Sequence, residues 1–146
     1  MADSKKEQVL KALQAALQEE APTGVTIERN ETVPVRVPAG GWVCLRDGDP
    51  GEPETLLSPP TYIYQHLAEV DVVVDRAGPA ARDELFDQIT QALGLGIAAD
   101  RTLGGLCDYV LGVAPAPFEL EFDGAENMKA ATIVVMLEYA TSDPLA

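Results

Sequence analysis

Residues 61–75 read TYIYQHLAEVDVVVD, and the alternation in this stretch decides the class of fold. Successive side chains of a β-strand point to opposite faces of the sheet. One face of this strand is mainly apolar and carries Tyr62, Tyr64, His66, Ala68, Val70, Val72 and Val74. The other face is mixed and carries Ile63, Gln65, Leu67, Glu69, Asp71 and Val73. One buried face and one partly solvent-exposed face are typical of an antiparallel sheet that is covered on one side.

Two helices are predicted from apolar spacing and from the residues that start and stop helices. Residues 5–19 carry apolar side chains at helical spacing. They follow a capping box in which Ser4 accepts from a free amide and Glu7 reaches back to the cap. The second helix is predicted to open at Gly78-Pro79 and to end at Gly94, a residue type that suits the position after a helix.

The remaining strands complete one domain. Residues 129–141 alternate like residues 61–75 and predict a second long strand. Shorter strands are predicted within residues 25–37 and at 42–45, 106–113 and 118–122. Pro34 and Pro38 confine residues 33–37 to an edge of the sheet. The order α-β-β-β-α-β-β-β predicts one α+β domain over residues 1–146, with a mixed, largely antiparallel sheet and two helices packed against it.

Residues 47–60 differ in composition from the rest of the chain, because they hold four prolines, two glycines, four acids and no base. This composition predicts a long exposed loop without regular structure. Loops of this length in compact domains usually have a function. The acids of the loop are the candidate contact residues, or the candidate residues lining a lumen: Asp47, Asp49, Glu52 and Glu54. We expect these four side chains to be unpaired.

The chain carries 24 acidic and 10 basic residues, which gives a formal net charge of −14. This balance argues against wrapping DNA or RNA, which takes clustered Lys and Arg, and against binding an anionic membrane surface. Two interpretations stay open. The acidic surface either keeps the protein soluble or repels a polyanion, as in a channel through which DNA passes. No apolar run approaches the ~20 residues that span a bilayer, and none resembles a signal peptide.

Few residues of the chain suit catalysis or metal binding. Cys44 and Cys107 each lie in an apolar segment, so we expect two buried thiols and synthesis in the reducing cytoplasm. His66 is the only histidine and has no acidic neighbour on its strand face, which favours a hydrogen-bonded structural role. A nucleophilic pair of His66 with either cysteine stays open but has no local support. The sequence contains no CxxC, complete calcium loop, dinucleotide fingerprint or P-loop, and we predict no catalytic, cofactor or metal site.

Five stretches of the chain resemble the tail-completion proteins of long-tailed bacteriophages, the tail terminator or minor tail family. They are RDGDPGE at residues 46–52, LSP at 57–59, YQH at 64–66, DRTLGG at 100–105 and YATSDPL at 139–145. The resemblance covers nearly the whole chain, in matching order. It implies a structural virion protein of the tail or neck, made in the cytoplasm of a bacterial host, without catalytic residues or a cofactor.

The resemblance also implies partners. Members of the terminator family form a hexameric ring that caps the tail tube and docks to the head connector, with sheets facing neighbouring subunits and loops reaching the tube. The expected partners are therefore further copies of the chain, the tail tube protein and a connector or neck protein. DNA would pass through the ring without sequence-specific binding. Three alternatives stay open: a head-completion protein of the same particle, a small acidic adaptor, and an enzyme, since some relatives carry an acyl-CoA transferase label.

Overall fold

The computed structural model of the chain describes residues 2–120 and 125–146. The described part contains two helices and seven strands, in the order α1 Lys5–Glu19, β1 Thr26–Arg29, β2 Trp42–Asp49, β3 Glu54–Leu57, β4 Pro60–Asp75, α2 Pro79–Ala99, β5 Tyr109–Gly112, β6 Ala116–Phe118 and β7 Met128–Thr141. A 3₁₀ turn at Ala125–Asn127 precedes β7. The predicted α+β class is confirmed, and β4 and β7 are the two long strands predicted from alternation.

The pairing of β4 with β7 forms the centre of the sheet. The two strands are antiparallel and stay in register from Tyr62 opposite Thr141 to Asp75 opposite Met128. Strands β2 and β3 lie one after the other along the other side of β4, and β5 and β6 lie in the same way along β7. Strand β1 pairs in parallel with β2 at the edge. The sheet is therefore mixed and largely antiparallel, as predicted.

Both helices cover the same face of the sheet. The side chains beneath them come from alternate positions of the central strands, which are Tyr64, His66, Ala68, Val70, Val72 and Val74 of β4 and Ala131, Ile133, Val135, Leu137 and Tyr139 of β7. All of these are buried, which confirms the face predicted from alternation; Tyr62, at the start of β4, is half-buried. The helices contribute Val9, Leu10, Leu13 and Leu17 from α1 and Leu85, Phe86, Ile89, Leu93 and Ile97 from α2.

The opposite face, here called the outer face, carries the odd-numbered residues of β4 and the even-numbered residues of β7. Residues 31–39 cross one end of it, and their Val37 is buried there with Trp42, Cys44, Val73 and Ala130. The edge strand predicted for this segment is wrong, since it forms no strand. Pro34 and Pro38 lack the amide hydrogens that a strand donates, and Val33 and Val37 pack onto the sheet instead of beside it.

Residues 47–60 form the arm of a β-hairpin and not the predicted loop. Strand β2 continues to Asp49, and β3 pairs back onto the start of β4, from Glu54 opposite Ile63 to Leu57 opposite Pro60. The prediction failed because none of the four prolines lies within β3: Pro50, Pro53 and Pro59 lie in the connections on either side, and Pro60 is the first residue of β4. The four residues of β3 therefore keep their amide hydrogens. All four are exposed, as expected for this segment.

Helix α2 runs past its predicted end at Gly94. It continues through Gly94 and Gly96 to Ala99, so the prediction that Gly94 follows the helix is wrong. Gly96 faces α1, where a methyl group in its place would overlap the carbonyl oxygen of Ala16. This glycine therefore allows the two helices to approach each other closely. A methyl group at Gly94 would meet no other atom.

Two predicted strands near the C-terminal part are shorter or shifted. Strand β5 occupies Tyr109–Gly112, within the predicted 106–113. Strand β6 is Ala116–Phe118, ahead of the predicted 118–122. Of that prediction, residues 121 and 122 belong to the segment 121–124, which lies outside the described residues.

We expect Gly96→Ala and Gly94→Ala to change stability in opposite directions. The added methyl at Gly96 must push α1 away from α2, which costs about 1–3 kcal/mol. At Gly94 the methyl meets nothing, and replacing an exposed helical glycine with alanine adds up to about 1 kcal/mol. Urea unfolding of both variants measures the difference. Equal effects would show that the close approach of the helices at Ala16 does not depend on glycine.

Candidate functional site

Four of the five stretches that resemble tail-completion proteins meet at one end of the sheet. They are residues 46–52, 57–59, 64–66 and 139–145. Residues 57–59 lead into β4, and Tyr64 near the start of β4 lies opposite Tyr139 near the end of β7. On the other side of β4, Asp49 at the end of β2 lies opposite Leu67. Strand pairing thus brings together residues that are up to about 100 positions apart in the chain.

The fifth stretch, residues 100–105, reaches the same end through β5. Arg101 donates from Nη1 to the carbonyl oxygen of Val110 at 2.9 Å, and its guanidinium lies over the ring of Tyr109. Val110 lies opposite Leu137 on β7, which in turn lies opposite His66 on β4. We call this part of the molecule the hairpin end; it comprises residues 46–67, 100–110 and 137–145.

His66 joins three of the five stretches inside the hairpin end. Its side chain is fully buried and hydrogen-bonded, as predicted. Nδ1 lies 2.7 Å from the hydroxyl oxygen of Tyr139, and Nε2 is hydrogen-bonded to the backbone carbonyl oxygen of Asp47. A carbonyl oxygen only accepts, so Nε2 carries the proton and Nδ1 accepts from the Tyr139 hydroxyl. Burial lowers the pKa of His66 below its ordinary value, which favours this neutral form.

The two cysteines do not form a nucleophilic pair with His66. Cys44 lies opposite Asp71 on the outer face, whereas His66 faces the helices. The Sγ of Cys44 accepts from the backbone amide of Glu31 at 3.3 Å. Burial raises the pKa of Cys107 to about 11, so this group stays a thiol near neutral pH. Both cysteines are buried thiols, as the sequence predicts.

Arg29 ties the candidate acid Asp47 to α1. Its Nε donates to Asp47 at 2.9 Å, and its Nη1 and Nη2 donate to the two carboxylate oxygens of Glu7 at 2.6 and 2.9 Å. Burial acts to raise the pKa of Asp47, but hydrogen bonds from Arg29 and Asn30 outweigh it and the pKa is lowered. The expectation that Asp47 is unpaired is therefore wrong.

The same contact changes the predicted capping box of α1. Ser4 Oγ accepts from the backbone amide of Glu7 at 3.2 Å, as predicted. The carboxylate of Glu7 does not reach back to the cap, because Arg29 holds both of its oxygens. The hydrogen bonds from Arg29 lower the pKa of Glu7. Sequence reasoning could not find this partner, which lies 22 positions away.

The other three candidate acids are exposed along the connection from β2 to β3. Asp49 accepts from the backbone amide of Gly51 at 2.8 Å, which stabilises the turn. Glu52 and Glu54 point into solvent. In the described part of the chain, none of the three takes part in a salt bridge. They form a continuous acidic margin on the hairpin.

Two leucines stand exposed beside this acidic margin. Leu56 and Leu57 of β3 are 50% and 78% exposed. Among the described residues, strand β3 pairs with β4 alone, so its other edge also offers backbone donors and acceptors. These leucines and the edge of β3 are the candidate contact surface of the hairpin. Sequence reasoning overlooked these leucines, although two adjacent leucines in a run of prolines and acids were a usable signal.

The outer face carries an apolar stripe that no other part of the described chain covers. Leu67, Met136 and Leu111 lie opposite one another across β4, β7 and β5, and both leucines are exposed. Next to the stripe, the carboxylate of Asp71 accepts from Arg46 Nε and from the Thr132 hydroxyl, each at 2.7 Å. Both oxygens of this nearly buried acid are therefore satisfied, as a structural ion pair requires.

In residues 2–120 and 125–146, no three His, Cys, Asp or Glu side chains converge on a position that would hold a metal ion. Neither of the two helices described is apolar enough over a sufficient length to cross a membrane.

Comparison with solved structures finds chains of similar structure. No protein-family model matches the chain, and no curated protein matches it. A chain in the solved "Virion of native gene transfer agent (GTA) particle" resembles it with 15% sequence identity and a TM-score of 0.45, over 90% of this chain and 96% of that chain. A likeness of this degree assigns neither a family nor a function.

We expect His66→Gln to remove part of the pH dependence of stability. The folded protein holds His66 neutral, whereas the unfolded chain takes up a proton near its ordinary pKa of about 6.5. The contribution of His66 is therefore complete above that pH and is lost as the pH falls through the lowered pKa of the folded state. The variant should be less stable at neutral pH by about 1–3 kcal/mol, because the buried hydrogen bonds of His66 with Tyr139 and with the backbone of Asp47 are weakened or lost.

The measurement is the Tm of both proteins across the acid range. Between about pH 7 and 5 the curve of the variant should be flatter than that of the wild type. Below that range both curves should fall, because Glu7 and Asp47 lose their charge. Parallel curves between about pH 7 and 5 would show that His66 is not held neutral.

Proposed function

We propose that the chain is a structural protein of a phage-like virion, in which six copies form a ring that caps the tail tube and joins it to the head connector. One observation carries this proposal. The five stretches that resemble tail-completion proteins are spread over residues 46–145, yet they come together at the hairpin end. A shared surface is the expected result when separate stretches serve one contact. The role needs no catalytic residue.

The hairpin end is the proposed contact with the tail tube. Leu56 and Leu57 offer apolar area on an exposed strand, and the free edge of β3 can pair with a strand of the partner. His66 and Arg29 hold the base of the hairpin rigidly, because they fix Asp47 through its backbone and its side chain respectively. A rigid arm loses less conformational entropy when it binds.

The exposed acids are the proposed lining of the DNA path. Six copies would carry a formal charge of −84, which is six times −14. Asp49, Glu52 and Glu54 supply part of this negative charge on the hairpin. The charge of Asp47 is instead paired with Arg29. Such a surface repels phosphates, so DNA would pass without binding.

We expect ring formation to depend on salt. Repulsion between the acidic copies is strong at low ionic strength and is screened over ~10 Å at about 0.1 M salt. The isolated protein should therefore be monomeric or mixed at low salt, and higher salt or the tail tube should favour the ring. Light scattering across a salt series measures the change. A monomer at every salt concentration, also beside the tube, would count against the ring.

Leu57→Asp should prevent the joining of tails to heads while leaving the fold intact. The side chain is 78% exposed, so its replacement should change stability by no more than about 0.5 kcal/mol. The matched control is Leu95→Asp on α2, which is 62% exposed and far from the hairpin in the chain. Particles assembled with Leu57→Asp should give free heads or tails of uncontrolled length, as seen by electron microscopy.

Replacing residues 51–58 with a short Gly-Ser linker is the stronger form of the same experiment. Circular dichroism and Tm should change little, because all residues of β3 are exposed. Normal infectious particles from this variant would show that the hairpin is dispensable. Tails of normal length that fail to join heads would place the protein at the head-completion position instead.

A further inference from the structure

An open apolar groove lies between α2 and residues 112–115, on the helix side of the sheet. Its volume is about 260 Å³. The floor consists of core side chains, which are Leu17, Val70, Leu93, Ile97, Ile133 and Val135. Thr90, Gln91 and Gly94 of α2 form part of the wall, and none of the lining residues is charged. The volume is below the ~300 Å³ typical of small-molecule sites, and it suits one or two aliphatic side chains.

A matching apolar group is exposed on the opposite side of the sheet. Val35 lies on the segment that crosses the outer face, and its side chain is fully exposed. The residues around it are anchored, because Val37 is buried and Val33 packs against the same cluster. Pro34 restricts the backbone immediately before it. Val35 is therefore held out by a rigid segment and would lose little entropy on docking.

The charges beside the two features are complementary. Arg36, next to Val35, is exposed and forms no ion pair with the described residues. Asp87 lies one helical turn before Gln91 of the groove wall, and its carboxylate accepts from Nε2 of Gln91. Opposite charges at matching positions orient two surfaces as they meet.

Val35 cannot enter the groove of its own chain. The segment that carries Val35 packs on the outer face, whereas the groove is lined by the helices and by helix-facing residues of β4 and β7. Only a second copy can bring the two together. Each copy then uses a different surface toward each neighbour, which is a head-to-tail contact that closes into a ring or continues as a filament.

We propose that Val35 of one copy docks into the groove of the next, with Arg36 paired to Asp87 across the contact. The inference rests on the proposed ring and names the surfaces that build it. The segment that carries Val35 packs where β4 ends and β7 begins, away from the hairpin end. The hairpin end stays free.

Two single variants test the docking from its two sides. Val35→Asp removes the apolar group, and Gly94→Leu adds an apolar side chain at the wall of the groove, where a methyl group would meet no other atom. Each should weaken self-association about tenfold or more, as expected for a central apolar contact. The Tm of the monomer should stay unchanged for Val35→Asp and stay or rise for Gly94→Leu. The matched control is Leu145→Asp, whose side chain is 92% exposed and outside the proposed contact.

A charge exchange tests the orientation. Arg36→Asp and Asp87→Arg should each weaken association, and the protein carrying both changes should recover most of it, because the pair is restored between copies. Lys6→Asp, with the same change of charge on exposed α1, is the control. Sedimentation velocity over a concentration series, at about 0.15 M salt, gives the dissociation constants without complete screening.

Cross-linking identifies the contact directly. Val35→Cys and Thr90→Cys in one chain, treated with a short bismaleimide, should give a ladder of covalent oligomers that ends at the ring. The native Cys44 and Cys107 are buried and should not react. Each single cysteine variant should give no ladder, because a head-to-tail contact never brings two identical positions together.

The outcomes separate this inference from the proposed ring. If rings form equally well from wild type, Val35→Asp and Gly94→Leu, the docking is wrong and the ring stands. A cross-linked dimer from Val35→Cys alone would show a symmetric contact and would also overturn the docking. If wild type stays monomeric at every salt and the double cysteine variant gives no ladder, both the docking and the ring fail.

Discussion

The register between β4 and β7 is the constraint on which the rest of the structure depends. These two strands pair without interruption from Tyr62 to Asp75, and every other sheet strand except β1 pairs directly with one of them. A slip of one residue would turn the valines of β4 from the helices to the outer face. It would also separate His66 from Tyr139, whose hydrogen bond needs both side chains on the same face. The register therefore determines the core and the hairpin end together.

His66 shows how this core supports a contact surface. A fully buried imidazole is unfavourable unless both nitrogens are hydrogen-bonded. Here one nitrogen binds the hydroxyl of Tyr139 on β7, and the other binds the backbone of Asp47 on β2. The histidine thereby links β2, β4 and β7 just where β2 leads into the hairpin. In an unaligned sequence a lone histidine resembles a catalytic residue, but its partners make it part of the framework.

Sequence reasoning succeeded where structure is local and failed where it depends on distant partners. Alternation located β4, β7 and their buried face, and helical spacing located α1 to the residue. Sequence reasoning failed at β3, which forms because β4 offers a free edge. It also failed at Gly94, where packing of α2 outweighs the preference of glycine for helix ends. The pairing of Arg29 with Glu7 and Asp47 spans 22 and 18 positions. No local pattern carries such information.

The two proposed contacts lie at different places along the central strands. The hairpin end is formed where β4 begins and β7 ends, whereas the segment bearing Val35 packs over Val73 and Ala130, where β4 ends and β7 begins. A copy docked through Val35 and the groove therefore leaves Leu56, Leu57 and the acidic margin unobstructed. Because the sheet is continuous between them, the ring contact would set the positions of all hairpins relative to one another. The proposed arrangement would let copies of one small chain close a ring and present a repeated surface to a tube.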